Sequence, residues 1–319
     1  MGIPRVGLNL TENEAATASL AAIQRAEERG VPMLWAITGR DIPDSLTLFA
    51  AAAARTQRIG LGTAIVPTYP RHPAVLAAQV QVIKQLAPGR FRLGIGTSHR
   101  PTITGALGIP MGRPLAHLRE YLTVLRSLLW NGAVDFDGEY YSVHLQMQNR
   151  APVPIYISTL RPNAFRLAGE VADGAISWLC PLNYLRDRAI PAMRSAASTA
   201  GRPTPRMVAQ IPVVMDDNRA IALKAAQRQI GGYAQIPFYA RMFAEAGFPI
   251  GQDGAMSDEL IDTLVVSGND AQIRDRLAAT LSDGIDELLA MQIPARNLPV
   301  EEERLSSILA SLAGTNVTQ

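Results

Sequence analysis

Between Arg90 and Pro101 the chain reads Arg-Phe-Arg-Leu-Gly-Ile-Gly-Thr-Ser-His-Arg-Pro. Side chains able to do chemistry crowd its second half: the hydroxyls of Thr97 and Ser98, the imidazole of His99 and the guanidinium of Arg100. They follow Gly94 and Gly96, which lack a Cβ and so let a flat ligand come close to the backbone. An apolar strand that ends in glycine and hydrogen-bonding groups is how a parallel α/β sheet presents a ligand. The same residues also suit a plain strand-to-loop turn, and this stretch alone leaves both readings open.

Other chemistries find less support. The pair Gly94-x-Gly96 lacks the third glycine and the immediate helix of a dinucleotide-binding turn; position 99 is histidine and Pro101 interrupts. The histidines, at 72, 99, 117 and 144, have no ligand spacing, so no metal site is expected. Neither a Gly-x-Ser-x-Gly elbow nor a phosphate-binding P-loop is present.

The elements that must position the stretch alternate. Apolar strands are predicted at 5–10, 32–37, 59–66, 91–95, 153–158, 174–179, 207–215 and 285–292. Helical spacing separates them at 11–29, 44–56, 74–86, 114–129, 162–171, 182–200 and 271–282, and 300–312 closes the chain. Gly30 follows the first helix as a C′ residue, and Asp44 or Ser45 caps the second. A hairpin is predicted over 134–144, with Asp137-Gly138 as its turn. Helical material is expected over 218–247. The least regular parts are expected at 98–112, 131–152 and 232–268, the kind of segment from which barrels build active-site lids. Alternating strands and helices imply parallel strands joined by right-handed crossovers. Eight such units in about 300 residues fit a (β/α)8 TIM barrel with insertions at the C-terminal face of its strands better than a doubly wound sheet. No linker rich in Pro, Gly or Ser divides residues 1–319, so one domain is expected.

Composition narrows the function. Of 319 residues 48% are apolar and 18% charged, with a net charge of +2, which suits a sizeable core. The 30 basic residues are scattered and mostly Arg, so a nucleic-acid partner is not expected. Cys180 is the sole cysteine, which excludes an intrachain disulfide and points to a reducing compartment; it suits a small buried apolar position. The first residues lack a signal-peptide core, and the apolar run Ala50–Ala54 meets Arg55 and Arg58 at once. A cytoplasmic protein without a membrane partner is the expectation.

Several segments together resemble the luciferase-like monooxygenase superfamily, in particular its branch that uses the deazaflavin coenzyme F420. Gly62-Thr63-Ala64-Ile65-Val66-Pro67 with Arg71-His72-Pro73 resembles the family's third-strand motif and following loop. Leu93-Gly94-Ile95-Gly96-Thr97 resembles the fourth-strand motif, and Pro154-Ile155-Tyr156-Ile157-Ser158 the fifth. Leu167-Ala168-Gly169-Glu170-Val171-Ala172-Asp173-Gly174 and Asp283-Gly284-Ile285-Asp286-Glu287-Leu288 complete the order.

The resemblance implies a TIM barrel that holds a flavin or deazaflavin at the carboxyl ends of its strands. It implies a non-prolyl cis peptide at Ala64–Ile65 backing the central ring, with Val66 beside it. Gly96, Thr97 and His99 would line the side of the ring. Ser158, Thr159, Leu160 and Arg161, ahead of a helix starting at Pro162, would take the phosphate side, because helix amino ends favour anions. Arg161 replaces a usual glycine; it either adds a charge-assisted contact or is a solvated surface residue. Thr38 stands where relatives place an Asp-His or similar pair, so the acid–base histidine of that position is missing. His99 stands where some sugar-phosphate dehydrogenases of the family keep a catalytic carboxylate. It would either exchange protons or pack against substrate or cofactor. Trp178 either stacks on a ligand or fills the core. The expected activity is hydride transfer between a reduced deazaflavin and a small organic substrate. The alternatives are an FMN-dependent monooxygenase and a non-catalytic deazaflavin-binding protein. A homodimer is expected by the same resemblance.

Overall fold

Strands buried on both faces read as apolar runs, and the runs predicted above pair side by side into a closed cylinder. The computed structural model describes residues 5–11, 15–39, 42–282 and 284–314. Residues 12–14 of the first predicted helix, Arg40 and Asp41 after the second strand, and Asp283 of the last motif lie outside the described residues.

The staves are β1 (Val6–Asn9), β2 (Met33–Ala36), β3 (Gly60–Thr63), β4 (Phe91–Gly96), β5 (Ile155–Thr159), β6 (Gly174–Trp178), β7 (Arg206–Val214) and β8 (Glu287–Gln292). Each is parallel to the next, and β8 returns to β1 with Val6 beside Leu288, which closes a (β/α)8 barrel. The helices that matter below are α1 (Ala16–Glu28), α2 (Ser45–Ala53), α3 (Pro73–Leu86), α4 (Pro114–Arg126), α5 (Pro162–Val171) and α6 (Ile190–Thr199). Then come α7 (Arg219–Ile230), α8 (Pro237–Glu245), α9 (Asp258–Leu264), α10 (Asp270–Ser282) and α11 (Leu298–Gly314). Their start signals are local. Asp44 accepts from Thr47 N at 2.9 Å to cap α2, and Pro73, Pro114, Pro162 and Pro237 sit in first turns. Among the described residues no helix is long and apolar enough to cross a membrane.

The amino-terminal half of the barrel is filled. Trp35 and Tyr156 meet edge to face, 6.0 Å apart, and glycines opposite leave them room. A Cβ at Gly62 would lie 2.4 Å from the Trp35 ring, and one at Gly174 would lie 2.0 Å from the Tyr156 ring. Glu287 accepts from Trp35 Nε1 at 3.1 Å and pairs with Arg92, which is itself buried. With that end plugged, space for a ligand remains at the carboxyl end.

Four expectations are revised. The predicted strand 59–66 is broken: β3 stops at Thr63, Ala64–Ile65 is a cis peptide, and Val66–Pro67 rejoins β4 with Val66 beside Ile95. The Thr63 hydroxyl bridges the break, donating to Gly94 O at 2.7 Å and accepting from Gly94 N at 2.8 Å. The helix predicted over 182–200 contains a π-turn at Leu185–Ala189 ahead of α6. The segment 232–268 is largely regular, not irregular. It holds a 3₁₀ turn (Gly231–Gln235), α8, α9 and the short strand Val266–Ser267 beside β7. Its order comes from apolar spacing, since Tyr239, Met242 and Phe243 of α8 are buried, and from Ser257 capping α9 through Leu260 N at 3.2 Å. The segment 98–112 likewise carries a π-turn at Pro101–Ala106. The hairpin pairs Ala133–Asp137 with Ser142–Gln146, and Glu120 of α4 holds its turn by accepting from the N–H groups of residues 139, 140 and 141.

Candidate active site at the carboxyl ends of the strands

A cavity of about 870 Å³ opens where the strands end, and every stave contributes to it. Asn9 comes from β1, Ile37 and Thr38 follow β2, and Ala64, Ile65 and Pro67 form the bulge after β3. Thr97 to Arg100 follow β4. Ser158 to Arg161 end β5 and run into α5, whose first turn adds Asn163 and Ala164. Ile176 and Trp178 come from β6, Gln210 from β7 and Met291 from β8. Met111, Pro114, Leu115 and Leu118 wall one side, and Tyr233, Phe238, Tyr239 and Arg241 come from the segment after α7.

Two residues with left-handed backbone flank it. Ser98 has φ 56° and Leu179 φ 52°, a conformation that side chains rarely adopt and that gathers at functional sites. Ser98 stands directly before His99 and Leu179 directly after Trp178, so both turns re-aim a ring at the cavity. The His99 ring lies 5.5 Å from Phe238, 6.0 Å from Tyr239 and 6.5 Å from Tyr233. Burial among these rings pushes its pKa below the usual imidazole value, which favours the neutral form. Trp178 meets Tyr233 edge to face at 5.8 Å.

Charge on the lining is of one sign. Arg100, Arg161 and Arg241 face the cavity, and no carboxylate lines it among the described residues. Arg161 pairs with Glu245 of α8 at 2.7 Å through Nη2, while its Nη1 is buried without a hydrogen-bond partner among the described residues. Asn9 Oδ1 is likewise buried and unpartnered. Thr38 is occupied: its hydroxyl bonds to Ser45, and its N–H donates to Ile65 O at 3.2 Å, which ties the end of β2 to the bulge.

Of the residues singled out in the sequence, Thr38, Ala64, Ile65, Thr97, His99, Ser158, Thr159, Leu160, Arg161 and Trp178 are brought to this one cavity. Val66 and Gly96 are not: Val66 is buried beneath the bulge, and Gly96 backs the wall. The room that the glycines leave is taken by protein. A Cβ at Gly96 would lie 2.2 Å from Ser158 Oγ, and one at Gly94 1.9 Å from the Thr63 carbonyl oxygen. Both therefore serve the packing of β4 against its neighbours rather than the approach of a ligand.

The sequence reading missed Asn9, Gln210 and the rings of Tyr233, Phe238 and Tyr239. Asn9 and Gln210 had a signal, since each is a lone polar residue in an otherwise apolar strand. The remaining histidines stand elsewhere: His72 caps α3 by accepting from Ala74 N at 3.2 Å. His117 stacks on Tyr69 at 3.9 Å, its pKa pushed down to about 4 by burial. Cys180 is buried, which pushes its thiol pKa up. Among the described residues no group of His, Cys, Asp and Glu could hold a metal ion.

Comparison with known proteins adds the following. A family model described as luciferase-like monooxygenase matches residues 4–287. An F420-dependent glucose-6-phosphate dehydrogenase of Nakamurella multipartita is 37% identical over 176 residues, 53% of this chain and 52% of that one. The match thus spans about half the length of that relative. A protein of the same name from Kineococcus radiotolerans is 30% identical over 243 residues, 69% of this chain and 71% of that one. Among solved structures, an F420-dependent secondary alcohol dehydrogenase in complex with an F420-acetone adduct superposes with a TM-score of 0.80 over 98% of both chains. Its sequence identity is 16%, so the likeness is one of fold.

Proposed function

The chain belongs to the luciferase-like monooxygenase family, and on that premise we propose that it is an oxidoreductase using coenzyme F420 to move a hydride to or from a small organic substrate. The observation that carries this reading is the pairing of an apolar slot over the Ala64–Ile65 bulge with a lining that is cationic and, among the described residues, free of carboxylates. A flat tricyclic ring with an anionic tail matches both. The names of the two curated relatives support the same cofactor.

The residues fit that group. Ala64 and Ile65 would back one face of the ring, with Thr97 and His99 at its side. The amino end of α5 and the unpartnered Nη1 of Arg161 would receive the phosphate, where backbone N–H groups and a guanidinium favour an anion. When bound, the deazaflavin accepts or supplies the hydride. The protein orients the partners and keeps water out, through Met111, Leu115, Leu118 and the α8 rings. His99 is the imidazole of the lining, and burial lowers its pKa from the ordinary histidine value. Neutral, it accepts the proton of a substrate hydroxyl during oxidation; as imidazolium it returns one in the reverse direction. Thr38 positions the bulge and takes no part in proton transfer.

Parallel equilibrium titrations with F420 and with FMN test the reading. F420 is expected to bind at least tenfold more tightly, a difference of about 1.4 kcal/mol. Tight binding of FMN with none of F420 reverses the assignment in favour of the flavin monooxygenase. Firm F420 binding without turnover of any alcohol or carbonyl compound favours a non-catalytic binding protein.

A further inference from the structure

The side of the cavity formed by the end of β6 and the segment after α7 has a different character from the Ala64–Ile65 bulge. Trp178, Tyr233, Phe238 and Tyr239 form a ring-walled box around His99, with Tyr233 and Tyr239 4.9 Å apart and Phe238 and Tyr239 5.2 Å apart. Rings at these spacings, edge to face for Tyr233–Tyr239 and tilted for Phe238–Tyr239, make an apolar surface that matches another ring. The same lining carries two neutral carboxamides, 6% exposed at Asn9 and 8% at Gln210. Asn9 Oδ1 has no partner among the described residues, and Gln210 Nε2 reaches only the Met291 sulfur at 3.8 Å, a weak acceptor. Gln210 stands in register beside Trp178 of the neighbouring strand, so its poorly used donor is at hand for a ligand oxygen that accepts.

A sugar phosphate does not match this half. Its several hydroxyls would face rings, and among the described residues no carboxylate lines the cavity to accept from them. We propose that the substrate is an uncharged, apolar cyclic alcohol, or the ketone it becomes, with its ring in the aromatic box and its oxygen accepting from Gln210 Nε2. The inference rests on the deazaflavin reading for the other half of the cavity. In the oxidising direction the carbinol C–H bond breaks and its electron pair leaves with the hydrogen as hydride to the oxidised deazaflavin. The O–H bond breaks, its proton passes to the His99 imidazole, and C=O forms; ketone reduction is the reverse.

The test uses 1-tetralone as probe, titrated into the full chain saturated with oxidised F420, with glucose 6-phosphate as competitor. Tetralone is expected to bind, and glucose 6-phosphate to leave its affinity unchanged. Phe238→Ala, at a half-buried position, should weaken tetralone at least tenfold while F420 affinity stays within twofold. Tyr233→Ala, also half-buried, provides a second variant should the first not fold. Competition by glucose 6-phosphate overturns the proposal. So does unchanged tetralone affinity in both variants, or an equal loss of F420 affinity, which would give the box to the cofactor. If F420 does not bind at all, the deazaflavin reading fails by itself. Tetralone titrated into the cofactor-free chain then still decides, binding that is lost in Phe238→Ala upholding the box and absence of binding overturning it.

Discussion

Replacing Gly94 with alanine tests whether the wall of the cavity is built by backbone packing. The new Cβ would lie 1.9 Å from the Thr63 carbonyl oxygen and 2.8 Å from Ile176 Cδ1. A side-chain methyl can rotate away, but the carbonyl belongs to the strand end that carries Ala64 and Ile65. Relief therefore requires the bulge to move, which breaks the Thr63 hydroxyl's two bonds to Gly94. Overpacking of a tight site costs about 1–3 kcal/mol, and each hydrogen bond lost adds about 0.5–1.5 kcal/mol. Restricting the unfolded chain returns about 0.4–1 kcal/mol, leaving a net loss of about 1–6 kcal/mol. At about 2 °C per kcal/mol for a chain of this size, Tm should fall by about 2–12 °C. Gly105→Ala is the control, since a Cβ there meets nothing within 4 Å and its φ is not positive. It should change Tm by about 1 °C or less. Thermal unfolding of both variants, with an F420 titration of each, reads the two effects together. A Gly94→Ala protein that melts with the wild type and binds F420 equally would refute the argument that β4 and the bulge are locked by their backbones.

The other predictions concern charge. Glu287→Gln leaves the buried Arg92 guanidinium without its counter-ion and should cost about 3–5 kcal/mol, measured by denaturant unfolding. Glu245→Gln frees Arg161 from its partner on α8, so F420 affinity should rise by roughly threefold in low salt, with the gain shrinking as salt is raised. For alcohol oxidation, kcat/KM should be flat above a pKa that lies below the ordinary histidine value of about 6.5 and should fall as pH drops through it; His99→Gln should remove that limb. His117, neutral in the fold with a pKa of about 4, binds its proton more readily unfolded. Stability should therefore be fully present above about pH 6.5 and be lost towards pH 4, by at most about 3 kcal/mol, and His117→Phe should flatten that loss in acid unfolding.

Much of the barrel was legible because its signals are local. Apolar runs, Gly30 after α1, Asp44 before α2 and prolines in first turns each state a boundary within a few residues. The break in the third strand was not legible from periodicity, since Thr63 to Val66 continue the apolar pattern without a mark. It came from resemblance, and the reason for it lies in Gly94, 31 residues away from Thr63. The segment 232–268 was misread as irregular because Gly231, Gly232, Gly247, Gly251 and Gly254 punctuate it; its helices are set by packing that no window of sequence displays. For the same reason the aromatic box was invisible. Tyr233, Phe238 and Tyr239 look like ordinary helix-face residues until β4 brings His99 against them.

The two halves of the cavity differ in how freely they can change, and that difference has a physical origin. Around β3, β4 and β5 the wall is close-packed at the backbone: Gly94 faces a carbonyl, Gly96 faces the Ser158 hydroxyl, and Thr38 N–H bonds to the bulge. A substitution there moves the surface that a cofactor ring must lie on. Tyr233, Phe238 and Tyr239 ride instead on a segment tied to the barrel mouth by side-chain contacts such as Arg161–Glu245 and Asn183 Nδ2 to Ala246 O at 2.9 Å. Their exchange would reshape the substrate half and leave the staves untouched. Hydride transfer needs the first half fixed within a fraction of an ångström, whereas selection of a substrate needs only complementary rings and one placed oxygen. On the proposed reading, therefore, the barrel holds the geometry of the reaction and the segment after α7 the choice of what reacts.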